Sequence, residues 1–136
     1  MKYILLVVIV LAGCQFEPPM DYVAEMEWTY NLIEYETETT ETLGYQTPYT
    51  TMKRRTGDCE DFALLFLYKV WFTYGVKGEF IVIQRKDDSL RRHAITRIDG
   101  VYYDPTWNMS RNDIYPTHLF TWAKDYDEIM RLALIW

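Results

Sequence analysis

From Cys59 to Tyr74 the chain is apolar at most helical positions, bounded by Asp58 on one side and Gly75 on the other. Asp58 is a good N-cap and Asp61, three residues later, has capping-box spacing. Glycine ends helices because it enters the left-handed region without strain. The pattern predicts a helix over Cys59–Tyr74, about 24 Å long at 1.5 Å per residue. Cys59, Ala63, Phe66, Leu67, Val70 and Tyr74 form one stripe, while Leu64, Leu65, Tyr68, Trp71 and Phe72 make the other sides apolar too. A helix apolar all round has to be covered on most of its circumference, so the rest of the chain must fold around it. The Cys59 thiol then points at whatever packs on its stripe.

A sheet is the expected packing partner, which makes the fold α+β. Glu79–Arg85 reads as a strand and Lys86–Ser89 as a turn. Leu90–Ile98 and Val101–Asp104 read as two more strands joined by Asp99-Gly100, a hairpin signal because a type I′ turn needs positive φ at both central residues. A two-residue loop sets Ile98 opposite Val101, Ile95 opposite Asp104 and His93 opposite Thr106. Side chains alternate faces, so His93, Ile95 and Asp104 share one face. His93 and Asp104 become diagonal neighbours, about 7–8 Å apart at the backbone and within hydrogen-bonding reach of each other's side chains. A three-residue bulged loop would reverse this parity.

Flanking helices complete the expected architecture. Met20 to about Tyr35 carries Val23, Met26, Tyr30 and Ile33 at helical spacing, with Asp21 and Glu25 favourable in the early turns. The acidic, β-branched run Glu36–Thr42 reads as an exposed loop. Thr47-Pro48 starts a short helical turn that runs through Met52 to Lys53-Arg54-Arg55, and Asp125–Glu128 precede an apolar run that reads as a packing helix.

At the N-terminus Lys2 precedes an apolar run, Tyr3–Val10, that is too short to span a bilayer and reads as a secretion signal. Its ending, Leu11-Ala12-Gly13-Cys14, resembles the bacterial lipobox. That resemblance implies cleavage before Cys14, lipidation of its sulfur, and a bacterial cell-envelope location, anchored in a membrane and facing the periplasm or the exterior. Several acyl chains hold a protein on a bilayer far better than one, so the lipid bilayer is an expected partner through Cys14. Gln15 after the lipidated cysteine favours outer-membrane sorting where two membranes exist. Residues 1–13 are then the signal, 14–19 a lipidated tether and 20–136 one domain. Cys59 becomes the only free thiol of the mature chain. The formal charge of −6 becomes −7 with Lys2 gone, and no Lys/Arg run exceeds Lys53-Arg54-Arg55. Nucleic acid is excluded as a partner, since phosphate neutralisation needs a basic face.

A lone thiol at a helix start, with an imidazole and a carboxylate sharing a sheet face downstream, has the parts of a nucleophilic site. Cys59 is the expected nucleophile, His93 the base that takes its proton, and Asp104 the group that orients the imidazole. Asp58, Glu60 and Asp61 oppose a thiolate, although the 100° turn per residue directs Asp61 away from Cys59. A structural zinc site would show short Cys-x₂₋₄-Cys spacing, which is absent. His118, between Thr117 and Leu119, reads as packing, and Trp107 as a lid over the sheet end.

Gly57-Asp58-Cys59-Glu60-Asp61-Phe62-Ala63, His93 ahead of a hairpin, and Asp104-Pro105-Thr106 together resemble the transglutaminase-like, papain-like superfamily. Tyr45-Gln46-Thr47-Pro48 upstream and the eleven-residue step from His93 to Asp104 are similar to the bacterial transglutaminase-like cysteine proteinases, some of which are periplasmic proteases of surface adhesins. The resemblance spans about Tyr45 to Trp107. It implies a papain-like core, with a central cysteine-bearing helix packed on a small antiparallel sheet between flanking helices. It also implies a Cys59, His93, Asp104 triad. Tyr45 falls near a position, commonly tryptophan, that helps stabilise the oxyanion. Calcium-dependent members place acids beside the cysteine, where this chain has Asp58 and Asp61, but helix capping by Asp58 is the favoured reading and no cofactor is expected. The function implied is a membrane-anchored, monomeric cysteine hydrolase, a peptidase or amidase, working on a protein or peptide through an acyl-thioester. The alternatives are acyl transfer to an amine, as in protein crosslinking, and a weak or inactive domain serving as a binding or exclusion module.

Overall fold

A computed structural model describes residues 19–37 and 44–135; Cys14, the lipobox and most of the acidic Glu36–Thr42 run lie outside them. The elements are α1 (Tyr22–Leu32), β1 (Glu34–Tyr35), α2 (Pro48–Arg54), β2 (Thr56–Gly57), α3 (Cys59–Tyr74), β3 (Glu79–Arg85), β4 (Arg92–Ile98), β5 (Val101–Asp104), β6 (Met109–Arg111), β7 (His118–Asp125) and α4 (Tyr126–Ile135).

The helix α3 begins and ends where its caps require. Asp58 Oδ1 accepts from the Glu60 and Asp61 N–H groups at 2.9 and 3.3 Å, and Asp61 Oδ2 accepts from the Asp58 N–H at 3.1 Å, which closes the capping box. At the other end Gly75 takes φ 70° and donates its N–H to the Trp71 carbonyl. Phe62 to Leu67 and Val70 are buried. The covering is less complete than the apolar circumference suggests, because Phe72 is 70% exposed and stacks on the Tyr68 ring.

Five antiparallel strands in the order β6-β5-β4-β3-β7 form the main sheet. Phe80, Val82, Ala94, Ile98 and Tyr103 face Ala63, Phe66, Leu67 and Val70 of α3, together with Met26 from α1 and Tyr126, Ile129 and Ala133 from α4. Ile81, Ile83 and Ile95 point to the other face, where Tyr102, Ile114, Tyr115 and Ala123 cover them. Both faces of β3 are therefore buried, which is why its sequence is a continuous apolar run rather than an alternation. The Asp99-Gly100 turn has φ of 50° and 81° and pairs Ile98 with Val101, Arg97 with Tyr102 and Thr96 with Tyr103. This is the two-residue register.

One expectation needs correction, and two strands are new. The first helix is shorter than Met20–Tyr35 and buries a different face: Met26 and Thr29 go inward with the capping residue Ile33, while Val23 and Tyr30 are about half exposed. It stops because Glu34 and Tyr35 turn extended and pair in parallel with Thr56 and Gly57. The strand β7 was not expected, nor was β6. Thr121 is a bulge residue between the Trp122–Val82 and Phe120–Ile83 pairs, and a bulge destroys the period-two signal that marks a strand. The other short elements match their local chemistry. Thr47 caps α2 by accepting from the Thr50 N–H, and Pro48 occupies its first turn. Among the described residues no helix is long and apolar enough to cross a membrane.

Gly57 is required by close approach. A Cβ there would lie 2.6 Å from Asp61 Cβ and 2.7 Å from its Oδ2. The Gly57→Ala variant is expected to lose about 1–3 kcal/mol, the usual cost of overpacking a filled site, read as a lower midpoint in urea or thermal unfolding. An unchanged midpoint would contradict this account of the glycine.

Candidate active site

The start of α3 is held by one carboxylate. Asp61 is 1% exposed; its Oδ1 accepts from the Gln46 N–H at 3.1 Å, and its Oδ2 accepts from Gln46 Nε2 at 2.7 Å as well as from the Asp58 N–H. Burial, then the neighbouring Asp58, push its pKa up to about 6, against the pull of these donors. Asp61 thus faces away from the thiol and toward the Tyr45-Gln46 segment. Asp58 and Asp61, the acids tied to calcium by resemblance, are both engaged in capping. Among the described residues no cluster of three or more His, Cys, Asp or Glu could hold a metal ion.

Cys59 is the free cysteine among the described residues and packs partly buried against the main core. Burial pushes its thiol up to about 12; the Ala94 backbone N–H draws it down, and Asp58, Glu60 and Asp104 raise it further. The sulfur therefore reaches β4 at the residue next to His93. Asp58 takes the Glu60 and Asp61 N–H groups, which leaves the Cys59 N–H at the positive end of the helix without an acceptor among the described residues.

His93 and Asp104 meet as the hairpin register predicts, with Nε2 and Oδ2 2.7 Å apart. Asp104 is 3% exposed and fully engaged. The Tyr115 hydroxyl donates to the same Oδ2 at 2.8 Å, and the Thr106 N–H donates to Oδ1 at 3.1 Å. Burial, then Asp104, raise the Tyr115 phenol well above its ordinary value, so it stays a donor. An ionised carboxylate only accepts, so Nε2 is the donor in this contact, and in the neutral imidazole the lone pair is then on Nδ1. Trp107 stacks on the imidazole with centroids 4.8 Å apart and planes 19° apart. It covers the histidine rather than the sheet end. His118 is buried beside Tyr115, its Nδ1 2.9 Å from Thr117 Oγ1, and its pKa is lowered by burial and then by His93.

Two residues of the site escaped the sequence reading. Tyr115 reaches Asp104 from an aperiodic stretch with no readable pattern. Tyr35 is carried beside Gly57 by the two-residue β1–β2 pairing, and its phenol is raised by burial, then by Cys59 and Asp58. Together Tyr35, His93, Thr106 and Trp107 line an open cavity of about 180 Å³. Tyr45 is partly buried with its ring edge-on to Phe80, centroids 6.0 Å apart.

Comparison with known proteins decides the family. The profile of the transglutaminase-like domain matches residues 19–129. This chain belongs to the transglutaminase-like domain family. Its α+β fold, with a cysteine at the start of the central helix, is that family's fold in this chain. None of the curated proteins matches it. Among solved structures, a Cytophaga hutchinsonii protein described as a candidate cysteine protease is similar over 76% of this chain, at 21% identity and a TM-score of 0.49. The transglutaminase-like chain spans 41% of that protein's length.

The high thiol pKa sets the pH dependence of Cys59 reactivity. With a pKa near 12 only about one thiol in 10⁵ is ionised at pH 7, and the fraction grows tenfold per pH unit. Labelling by iodoacetamide, followed by mass spectrometry, should therefore rise through pH 10 without a plateau. A plateau with a midpoint below pH 8 would show a stored thiolate and contradict this electrostatic picture.

Proposed function

We propose that this transglutaminase-like domain is a cysteine hydrolase, a peptidase or amidase that works through an acyl-thioester with Cys59, His93 and Asp104. The observation that carries the reading is the 2.7 Å His93–Asp104 bond, because it occupies Nε2 and leaves Nδ1 as the ring nitrogen available to act as a base, next to the strand residue the thiol reaches. With burial holding the thiol neutral, the reaction begins from a thiol rather than from a thiolate. Cys59 Sγ attacks the acyl carbon as its proton passes to Nδ1, and the proton then goes to the departing amine. The acyl-thioester is opened by water, or by a second amine, whose proton returns through Nδ1 to Sγ. The Cys59 N–H at the helix start is the proposed oxyanion donor, and Tyr45 is the proposed second group. Asp104, held by Tyr115 and the Thr106 N–H, keeps the imidazole in the productive tautomer.

The same thiol pKa favours a second reading, a domain of low activity that serves as a binding or exclusion module. p-Nitrophenyl acetate separates the two. A cysteine hydrolase releases a stoichiometric burst of p-nitrophenolate, and Cys59→Ala or His93→Ala should lower its rate by about 10²-fold or more, the scale of a lost general base or nucleophile. Equal, slow release by the parent and His93→Ala would sink the hydrolase reading.

We further propose that the domain is tethered to the bacterial envelope through acylated Cys14 and acts there, as a monomer, on a protein or peptide. The Leu11–Cys14 motif supports the tether. Radiolabelled palmitate should enter the wild-type chain and not Cys14→Ser, and equal incorporation in both would refute the anchor.

A further inference from the structure

The outer side of α3 carries a patch of rings that the sheet and the other helices leave open. Phe72 is 70% exposed, and Trp71 of α3 and Trp28 of α1 are 38% and 36% exposed. Tyr68 joins the first two: its ring stacks on Phe72 with centroids 6.0 Å apart and lies 6.0 Å from that of Trp71. Trp71 in turn packs on Tyr126 of α4 at 5.6 Å. Two lysines border the rings. The Lys69 ammonium sits 4.6 Å from the centre of the Trp28 ring, and that of Lys77 lies 5.9 Å from the centre of Tyr126. Each is paired, Lys69 with Glu25 at 3.7 Å and Lys77 with Asp127 at 2.8 Å. A contiguous apolar surface rimmed in this way marks a place of contact.

The place where the tether enters selects the occupant. The Asp21 N–H donates to the Tyr74 hydroxyl at 3.1 Å, while Ile33, beyond the other end of α1, packs with Phe62 and Leu65. The two helices therefore run antiparallel, and α1 begins beside the end of α3 that holds Trp71 and Phe72. Five peptide steps separate Cys14 from Pro19, a span of at most about 18 Å. Phe72 precedes Tyr74 by two residues, which puts it across α3 from Asp21, at a distance on the order of the 10–12 Å helix diameter. An acyl anchor on Cys14 is thus long enough to let this face touch the bilayer and too short to let it move far away. Held at so high an effective concentration, even a weak surface contact is occupied.

We propose that the patch of Trp28, Trp71 and Phe72 beds into the interface of the bilayer to which Cys14 tethers the domain. Tryptophan and tyrosine settle at headgroup depth, where the ring body leaves water and the polar tip stays wet, and lysine stems cover apolar surface while their ammonium groups remain hydrated. Glu25 and Asp127 balance the two lysines and the chain is acidic overall, so the surface fits a zwitterionic bilayer and does not depend on anionic lipid. Docking also sets the direction of the active site. Phe72 follows Cys59 by thirteen residues, about 20 Å along the helix, and the 100° turn per residue places it on the reverse of the stripe that carries the thiol. The site then opens to water and not to lipid, as a polypeptide substrate requires.

The inference rests on the tether through acylated Cys14, and the test separates the two. The acylated chain is reconstituted in phosphatidylcholine vesicles whose acyl chains carry bromine near the headgroup, which quenches tryptophan emission only at close range. Flotation with the vesicles reports the tether, and quenching reports the patch. Wild-type emission is expected to fall relative to unbrominated vesicles, and to fall as much at high salt as at low. Trp28→Phe with Trp71→Phe should abolish the quenching, whereas Trp107→Phe, at the active site, should retain it. Phe72→Ser should lower the quenched fraction about twofold or more, since a large ring no longer leaves water there. Its exposed position makes it the deciding variant if the double one fails to fold. A chain that floats without quenching overturns the patch and leaves the tether standing, and so does quenching that survives in the double variant, is unchanged in Phe72→Ser or disappears at high salt. A chain that does not float overturns both. A dimer that forms without quenching, and that Phe72→Ser dissociates, assigns the patch to a second copy of the chain and overturns the bilayer as its occupant.

Discussion

A single buried carboxylate, that of Asp61, ties together the three segments that create the site. It accepts from both nitrogens that Gln46 offers and from the Asp58 N–H, so it fastens the chain ahead of α2 to the turn before α3. Gly57 is part of the same contact, because any side chain there would occupy the space of the Asp61 carboxylate. The three donors offset much of the cost of removing a charge from water, and the raised pKa of Asp61 shows that the compensation is incomplete. With the helix start held, Cys59 is carried to β4 beside His93. The Gly-Asp-Cys-Glu-Asp motif is therefore a device for building a helix terminus around a cysteine, and two of its three acids serve the backbone.

The electrostatics of the thiol follow from that construction. The helix terminus and the Ala94 N–H favour a thiolate, while burial and the acids Asp58, Glu60 and Asp104 oppose it, and the opposition wins. A neutral thiol needs a base held beside it. His93 is held for that task at its edge and on its face: Asp104 fixes Nε2, Tyr115 and Thr106 fix Asp104, and Trp107 lies on the ring. Each of these contacts restricts how the imidazole can turn, which leaves Nδ1 as its one free polar atom among the described residues.

Much of this was legible from local rules. The limits of α3 followed from its caps, and the meeting of His93 with Asp104 followed from a turn that dictates its own register, since Asp99 and Gly100 both take positive φ. The face that α1 buries is not set by its own spacing. Val23, Met26, Tyr30 and Ile33 do have helical spacing, but the helix turns Met26 and Thr29 inward, because where it sits is decided by α3 and not by its own sequence. The strand β7 carries no sequence signature because its bulge at Thr121 breaks the alternation that marks a strand.

The sequence by itself determined the central helix with its cysteine, the parity of the hairpin and hence the imidazole–carboxylate pair. These depend on caps, turn dihedrals and alternation, which act over a few neighbouring residues. Only the tertiary structure decided that Tyr35 stands beside the cysteine, that Tyr115 supports Asp104, that Trp107 covers His93 and that the Thr106 hydroxyl is buried without a partner among the described residues. Tyr35 and Tyr115 arrive from distant segments through short pairings and loop contacts with no periodic signature. The environments of Trp107 and Thr106 are set by what packs around them, so their roles exist only after the chain has closed around α3.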